Sequence, residues 1–338
     1  MKKFTFIALS VLMAVLLVTG CKKKEADTAA APSITKIGIA VPTADHGWTG
    51  GIGWWADFQV KEISAQYTGQ IEFRVVHSAN PTTQVADVEN LLTWGMNYLV
   101  ILPHESAPLS PIVRQVHDQG VRCIVVDRGL EPGDFGYVYI AGDNPGLGRE
   151  SGKWLASTMK AEGLTNYVAQ GGLPILIDTQ RMEGFFGEMD KEPSLVNLEG
   201  KDKYQFANFS PQDSLRLMET HLQMYPKIDA VFCQDDDAMI GALQAIKESG
   251  RTDIKIVMGG AGSKAVYEMI KAGDPLVRAT TLYHPSMIAD AIQYAVDVAT
   301  GAKNDSFHNA SQPLTVVIPS ALIDKSNVDQ YYNPDSSF

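Results

Sequence analysis

From Ile34 onward, short apolar runs alternate with longer segments whose apolar positions recur at helical spacing. The segment "PTTQVADVENLLTWG" (81–95) has the three-to-four-residue spacing of an amphipathic helix. Strands that alternate with helices predict a parallel sheet with right-handed crossovers. The apolar runs of this first set predict strands at 34–41, 71–78, 97–103, 121–127 and 136–143.

The same alternation restarts near Thr165. Two successive sets predict an α/β protein with two doubly wound parallel-sheet domains in tandem. Because ligands bind beyond the carboxyl ends of parallel strands, residues that follow strands are the candidates for a site. The second set of runs predicts strands at 165–172, 203–210, 229–236, 253–260 and 275–283.

The N-terminus has the pattern of an export signal. Lys2 and Lys3 precede an apolar run that extends to Val18, which is too short for a comfortable membrane span and predicts a signal peptide over 1–20. The ending "VTGC" resembles a bacterial lipobox, in which Cys21 becomes the lipidated first residue; the alternative is an ordinary signal peptide with an incidental cysteine. Residues 21–33 then form a flexible lipidated tether. We expect a protein in the periplasm or at the cell surface, anchored to the membrane by lipid.

Net charge and cysteine content exclude some kinds of ligand and bond. The 338 residues suffice for two domains, and the net charge of −11 argues against nucleic-acid binding, which usually needs a basic patch. Cys123 and Cys233 lie inside strand-like runs without metal-ligand spacing. We expect buried, reduced thiols rather than the disulfide that an oxidising compartment would allow.

Aromatic residues crowd the glycine-rich run after the first predicted strand, "AVPTADHGWTGGIGWWAD". Trp48 follows His46-Gly47 and offers a rigid flat face to a ligand ring. Trp54 and Trp55 fall at the start of the next helix, where core packing is the stronger interpretation. His46 either hydrogen-bonds a ligand hydroxyl or caps the loop.

Charged residues occupy the ends of later strands. In "VVDRGL", Asp127 can accept hydrogen bonds from neighbouring hydroxyls while Arg128 donates; the alternative is a salt bridge at the sheet edge. Arg181 lies at a predicted helix start in "IDTQRMEGF". The three aspartates 235–237 lie between a strand and a helix, and helix capping explains one or two of them.

Motifs of catalysis are absent from the sequence. It contains no G-x-S-x-G, no H-E-x-x-H and no Walker A motif, and "GGAGSK" (259–264) fits neither standard phosphate loop. The alternating acidic spacing of a calcium loop is also missing. We therefore expect no enzyme, no cofactor and no metal.

In combination, these features resemble the ribose-binding-type (type I) periplasmic binding proteins, which deliver sugars to ABC transporters. The resemblance rests on the lipoprotein-like signal, the two α/β domains, the aromatic turn, "VDR", "RMEGF" and "FCQDDDAMIG", and it covers almost all of 34–325. It implies a solute-binding protein that captures a monosaccharide or polyol between two lobes and passes it to an ABC permease. We expect it to act as a monomer.

Carried over by position, the resemblance also implies a set of ligand contacts. Arg181 is the best match to an arginine that the family supplies from the second domain, and a small offset would make Thr179 the contact instead. The implied ligand-binding residues are His46, Trp48, Asp127, Arg128, Thr179, Arg181, Asp235 and Tyr283.

Two positions depart from the family pattern. Ala261 stands where many relatives have a ligand-binding aspartate, and Leu102 replaces a polar position. Ribose is therefore doubtful, and we expect a ligand with a less polar edge, such as a deoxy sugar.

The family pattern further implies a three-stranded hinge with crossings near 142–144, 283 and 311–313. The strand "LTVVIP" is then expected in the second lobe. The first lobe would comprise 34–142 and 285–310, and the second 145–282 and 313–330.

Alternatives to a sugar binder remain at this point. The same fold binds nucleosides, amino acids and small signal molecules. A sugar-responsive transcription regulator shares the fold but would need a helix-turn-helix and would lack an export signal. An exported glycosidase would need two opposed carboxylates, for which Asp127 and Asp235 are the available pair.

Overall fold

The computed structural model describes residues 34–44 and 46–338. The predicted signal peptide and tether, with Cys21, lie outside the described residues. The strands are β1 (Thr35–Pro42), β2 (Ile71–Ser78), β3 (Tyr98–Ile101), β4 (Arg122–Val126), β5 (Val138–Gly142), β6 (Asn166–Gly171), β7 (Val196–Asn197), β8 (Gln205–Phe206), β9 (Ala230–Cys233), β10 (Ile256–Met258), β11 (Ala279–Thr281), β12 (Leu314–Ile318) and β13 (Leu322–Asp324). The helices are α1 (Gly47–Ser64), α2 (Pro81–Trp94), α3 (Ser106–Asp118), α4 (Asn144–Glu162), α5 (Leu176–Met189), α6 (Pro211–Met224), α7 (Asp236–Ser249), α8 (Lys264–Ala272) and α9 (Met287–Ala299).

Two parallel sheets organise these elements. The first has the order β12-β5-β4-β3-β1-β2, and the second has β10-β9-β6-β7 with β8 also paired to β6. Strands β11 and β13 form a separate antiparallel pair. We call the first sheet with α1, α2, α3 and α9 the first lobe, and the second sheet with α4 to α8 the second lobe. The predicted fold class, parallel α/β sheets in two doubly wound sets, is confirmed.

Both faces of each sheet are covered, as in parallel sheets generally. The last six residues of β1 and all of β3 are buried, which explains their continuous apolar sequences. Cys123 and Cys233 are free and buried, and burial raises the pKa of both thiols. Both are therefore free, buried thiols, as the sequence predicts.

The expected place of the strand "LTVVIP" is wrong. β12 pairs in parallel with β5 of the first sheet, from Leu314 opposite Val138 to Ile318 opposite Gly142. A strand-like run specifies that a strand forms but not which edge it covers, and here it covers the otherwise open edge of β5. The third hinge crossing accordingly follows Ile318 rather than 311–313. There the Ser320 hydroxyl donates to the main-chain oxygen of Asp143 (2.9 Å), in the first crossing.

Helices α4 and α5 pack backbone against backbone. A Cβ atom on Gly148 would lie 1.9 Å from the main-chain oxygen of Arg181, and one on Gly184 would lie 2.5 Å from that of Pro145. Because only glycine fits these positions, α5 can lie directly against α4, and Arg181 of α5 reaches Asn144 at the start of α4.

We expect Gly148→Ala to destabilise the protein by about 1–3 kcal/mol, the scale of overpacking in a filled interior. Gly187→Ala is the matched control, because it lies in α5 with open space around its Cβ position. The control should be neutral or stabilising through helix propensity. Urea unfolding of both variants measures this, and equal stabilities would contradict the close packing.

Candidate functional site

Asp127 lies directly after β4, at the carboxyl end of the first sheet. It is 7% exposed and has a φ of 59°, the left-handed region that aspartate tolerates better than most residues. Its main-chain oxygen accepts a hydrogen bond from the Tyr139 hydroxyl (2.5 Å), and its Oδ1 accepts one from the Tyr283 hydroxyl (2.5 Å). Two tyrosines therefore hold a strained backbone and its carboxylate in one orientation.

Tyr283 lies in the second hinge crossing, between β11 and α9. Besides donating to Asp127, its hydroxyl accepts from the Asn144 side-chain amide (3.3 Å). Burial, together with the Asp127 carboxylate, raises the pKa of Tyr283 well above its usual range. Its ring packs on Gly142, where a Cβ atom would come within 2.3 Å of a ring carbon. Tyr283 therefore joins the end of the first sheet to the start of α4.

Arg181 reaches the same place from α5 of the second lobe. Its Nε donates to Asn144 Oδ1 (2.8 Å), and its guanidinium carbon lies 4.5 Å from the centre of the Tyr283 ring. The Phe209 ring lies at 5.9 Å. A continuous path of hydrogen bonds therefore runs from Asp127 through Tyr283 and Asn144 to Arg181, across the hinge.

The three aspartates before and in α7 do three different things. Asp235 is its N-cap, with Oδ1 accepting from the Ala238 N–H (2.9 Å). Asp236 holds the loop 259–263, because its Oδ2 accepts from two main-chain N–H groups there. Asp237 reaches the other lobe, where Oδ2 accepts from the Gly47 N–H (3.1 Å). Capping thus explains one of the three.

Asp235 also interacts with charged groups around it. It is buried at 7% exposure, and its pKa is raised to about 7 by burial and by the Asp237 carboxylate. The Ala238 N–H and the Arg181 guanidinium oppose that rise. Asp235 therefore interacts electrostatically with Arg181, at the end of the hydrogen-bonded path.

The remaining predicted site residues lie outside the hydrogen-bonded path from Asp127 to Arg181. Trp48 is buried, and its indole N–H donates to the main-chain oxygen of Tyr283 (2.9 Å), so it supports the hinge. His46 is half-buried at the N-cap of α1. Arg128 is half-buried and donates to the main-chain oxygen of His104 (2.5 Å). Thr179 is exposed on the first turn of α5, so Arg181 rather than Thr179 lies beside Tyr283.

The two departures from the family pattern also have defined places. Ala261 is 4% exposed with a φ of 89°, and its main chain bonds the hinge: N–H to Thr281 O (2.8 Å) and O from the Tyr283 N–H (3.2 Å). Leu102 is fully buried, and its main-chain oxygen accepts from the Gln84 side chain. Neither side chain offers a polar group.

The sequence placed Asn144 only in an expected hinge crossing and Asp237 only among three aspartates at a helix start, and it gave no indication of Phe209. Asn144 follows a strand and Asp143, a recognisable helix start that could have indicated it. The position of the Phe209 ring depends on a turn in which Asn208 and Phe209 both have positive φ, and no local sequence pattern predicts such a turn. Asp237 contacts Gly47 of the other lobe, and a contact between lobes leaves no local sequence pattern.

Other kinds of site are not indicated. Among residues 34–44 and 46–338, no group of three or more His, Cys, Asp or Glu side chains is placed to hold a metal ion. Within the same residues, no helix combines the length and apolar character needed to span a membrane.

Comparison with known proteins agrees with this architecture. A family model described as "Periplasmic binding protein domain" matches residues 37–303. The ribose import binding protein of Bacillus subtilis is 30% identical over 249 residues, 73% of this chain and 75% of that protein. The D-xylose-binding periplasmic protein of Escherichia coli is 27% identical over 284 residues, which is 82% of this chain and 83% of that protein.

A solved structure shows the same likeness. An ABC transporter solute-binding protein from Mycobacterium smegmatis with bound glycerol superposes with a TM-score of 0.70 at 25% identity, covering 90% of this chain and 99% of that one. With two parallel sheets, a three-stranded hinge and charged residues gathered at it, the chain belongs to the type I periplasmic binding proteins.

Proposed function

We propose that this protein binds a small neutral sugar or polyol between its lobes, leaves it chemically unchanged and delivers it to the permease of an ABC importer. The observation that carries the proposal is the buried path of hydrogen bonds from Asp127 through Tyr283 and Asn144 to Arg181. It sets a carboxylate of one lobe and a guanidinium of the other at the same hinge.

A carboxylate that accepts hydrogen bonds and a guanidinium that donates them can together bind ligand hydroxyl groups, which both donate and accept. Tyr283 takes Oδ1 of Asp127, which leaves Oδ2 as the oxygen that accepts from a ligand hydroxyl. The Arg181 guanidinium donates to hydroxyl or ring oxygens. Because an unpaired buried hydroxyl costs about 1–3 kcal/mol, a ligand held here must match these partners.

Known relatives support the ligand class. The two relatives compared above are named for ribose and D-xylose, and the similar solved structure holds glycerol. For this chain we propose a less polar ligand than ribose, because Ala261 offers no hydrogen-bonding side chain where the family resemblance implies a ligand-binding aspartate.

Closure over the ligand is supported by a contact between the lobes. The Asp237 carboxylate lies at the N-terminus of α1, where it meets the Gly47 N–H and the positive end of the helix dipole. A Cβ atom on Gly47 would lie 2.7 Å from the Asp237 carboxylate, so the approach is close. We infer that this contact forms on closing and is lost on opening.

Export and anchoring complete the proposal. Cys21 carries the lipid, and the mature chain begins there. Mass spectrometry of the N-terminal peptide should find a diacylated or triacylated Cys21, and Cys21→Ser should release the protein from membranes. An unmodified N-terminus at another residue would contradict this.

We expect Arg181→Ala to weaken ligand binding by about 2–5 kcal/mol, the scale of losing one partner of a buried charged interaction. The ligand is first found by thermal shift with D-ribose, D-xylose, xylitol, myo-inositol and glycerol, and calorimetry then gives the affinities. Arg114→Ala, which removes an exposed guanidinium from α3, should bind as the wild type does. Unchanged affinity in Arg181→Ala would place the ligand elsewhere.

We expect Asp237→Ala to reduce the affinity about fivefold, because removing a charge from a helix N-terminus costs roughly 1 kcal/mol and here only the closed form loses it. Glu248→Ala, near the far end of α7, is the control and should change nothing. Calorimetry measures both. An unaltered affinity in Asp237→Ala would mean that the contact does not distinguish closed from open.

A further inference from the structure

Residues 333–338 pass from the second lobe to the first, in addition to the three hinge crossings. Before this segment, the chain is held to the second lobe, because Val328 is buried in its core and the Tyr332 hydroxyl donates to Glu268 of α8 (3.1 Å). At the other end of the segment, Phe338 is buried in the core of the first lobe. We call residues 333–338 the strap.

Phe338 lies in a gap between α1 and the second hinge crossing. It is 5% exposed and belongs to the same apolar cluster as Ile52 of α1 and Met287 of α9. A Cβ atom on Gly51 would lie 2.7 Å from the Phe338 Cβ and 2.6 Å from Pro285. The glycine at 51 therefore leaves the space that Phe338 occupies.

The second-lobe end of the strap is held at the N-terminus of α8. The Lys264 ammonium donates to the main-chain oxygen of Pro334 (2.5 Å). Lys264 is the first residue of α8 and follows the loop 259–263, which the Asp236 carboxylate holds. This anchor therefore moves with the second lobe.

Between its two anchors the strap is folded on itself. The N–H of the buried Ser336 donates to the main-chain oxygen of Asn333 (3.2 Å), and its hydroxyl donates to that of Phe338 (2.7 Å). The Asp335 N–H donates to the Asn333 side chain (2.9 Å). Even fully extended, the five residues from Pro334 to Phe338 span only about 18 Å. A lobe movement that separates the anchors must therefore unfold these turns or withdraw Phe338 from the gap.

We propose that the strap restrains the opening of the two lobes, with Phe338 as the residue that positions them. Two contacts then join the second lobe to α1, through Asp237 at Gly47 and through Phe338 at Gly51, one helical turn apart. The proposal rests on the lobe closure of the proposed function. Because apparent affinity rises with the fraction of protein in the binding-competent form, a strap that favours the closed form strengthens ligand binding.

Distance measurements between the lobes test the strap without ligand. Spin labels attached after Glu89→Cys in α2 and Glu219→Cys in α6, two exposed positions, report the distance between the lobes by pulsed EPR. Cys123 and Cys233 are buried and should not be labelled. In Phe338→Ala the mean distance should be longer than in the parent.

Phe307→Ala is the matched control. Phe307 is also a buried phenylalanine of the first-lobe core, at 4% exposure, but it lies outside the strap. Its loss should lower the melting temperature, as the loss of Phe338 does, and leave the distance between the lobes unchanged. An equal lengthening in both variants, or none in Phe338→Ala, would overturn the strap.

Lys264→Met tests the other anchor without changing the core, so it decides the question if Phe338→Ala folds poorly. It should lengthen the distance less than Phe338→Ala does, because Tyr332 still holds the chain to α8. Lys255→Met, which removes a lysine bond to the main-chain oxygen of Thr252, is its control, and equal distances in the two would contradict the proposal. Since both anchors act through one strap, adding Lys264→Met to Phe338→Ala should change the distance no further, and additive changes would also contradict it.

Ligand affinity is measured in the same variants by calorimetry with xylitol. Phe338→Ala should bind xylitol about fivefold more weakly than the parent, because a smaller fraction of the protein is closed, and Phe307→Ala should bind as the parent does. Equal affinities of Phe338→Ala and its parent would overturn the effect of the strap on binding. Absence of xylitol binding in the parent would count against the proposed function, while the distance measurement would still decide the strap.

Discussion

The hydrogen bond between the Tyr283 hydroxyl and the Asp127 carboxylate (2.5 Å) is the interaction on which the site depends. Both groups are buried, at 4% and 7% exposure, where an unpaired carboxylate would be costly. The bond ties the end of β4 to the second hinge crossing. Since Asn144 in the first crossing joins the same hydroxyl, two of the three hinge segments meet at one polar atom.

This constraint determines what the rest of the structure must provide. Gly142 leaves room for the Tyr283 ring, and Trp48 secures the main chain of Tyr283 from α1. Gly148 lets α5 approach α4 closely enough for Arg181 to reach Asn144. The glycines at 142 and 148 thus provide the space that the Tyr283 ring and the contact between α4 and α5 require.

Much of this could be predicted from the sequence, for identifiable reasons. The alternation of strands and helices is a local signal, so the two parallel sheets followed from it. Asp127 follows a strand and Arg181 lies near the start of α5, so the sequence could indicate both positions, while their contact with a ligand stays a prediction. The edge covered by β12 could not be predicted, because strand pairing over such separations leaves no local pattern. The hydrogen bond from the Trp48 indole N–H to the main-chain oxygen of Tyr283, 235 positions away, likewise could not be predicted, whereas a ligand contact through the Trp48 ring stays a prediction.

Ala261 has a consequence for how such a protein can diverge. It bonds the hinge through its main chain alone, with a φ of 89° that alanine adopts less readily than glycine, asparagine or aspartate. A substitution to aspartate at this position would therefore relax the backbone and leave the main-chain bonds to Thr281 and Tyr283 in place. Because the hydrogen bonds at this position use main-chain atoms only, the side chain here can change in evolution while the hinge is retained.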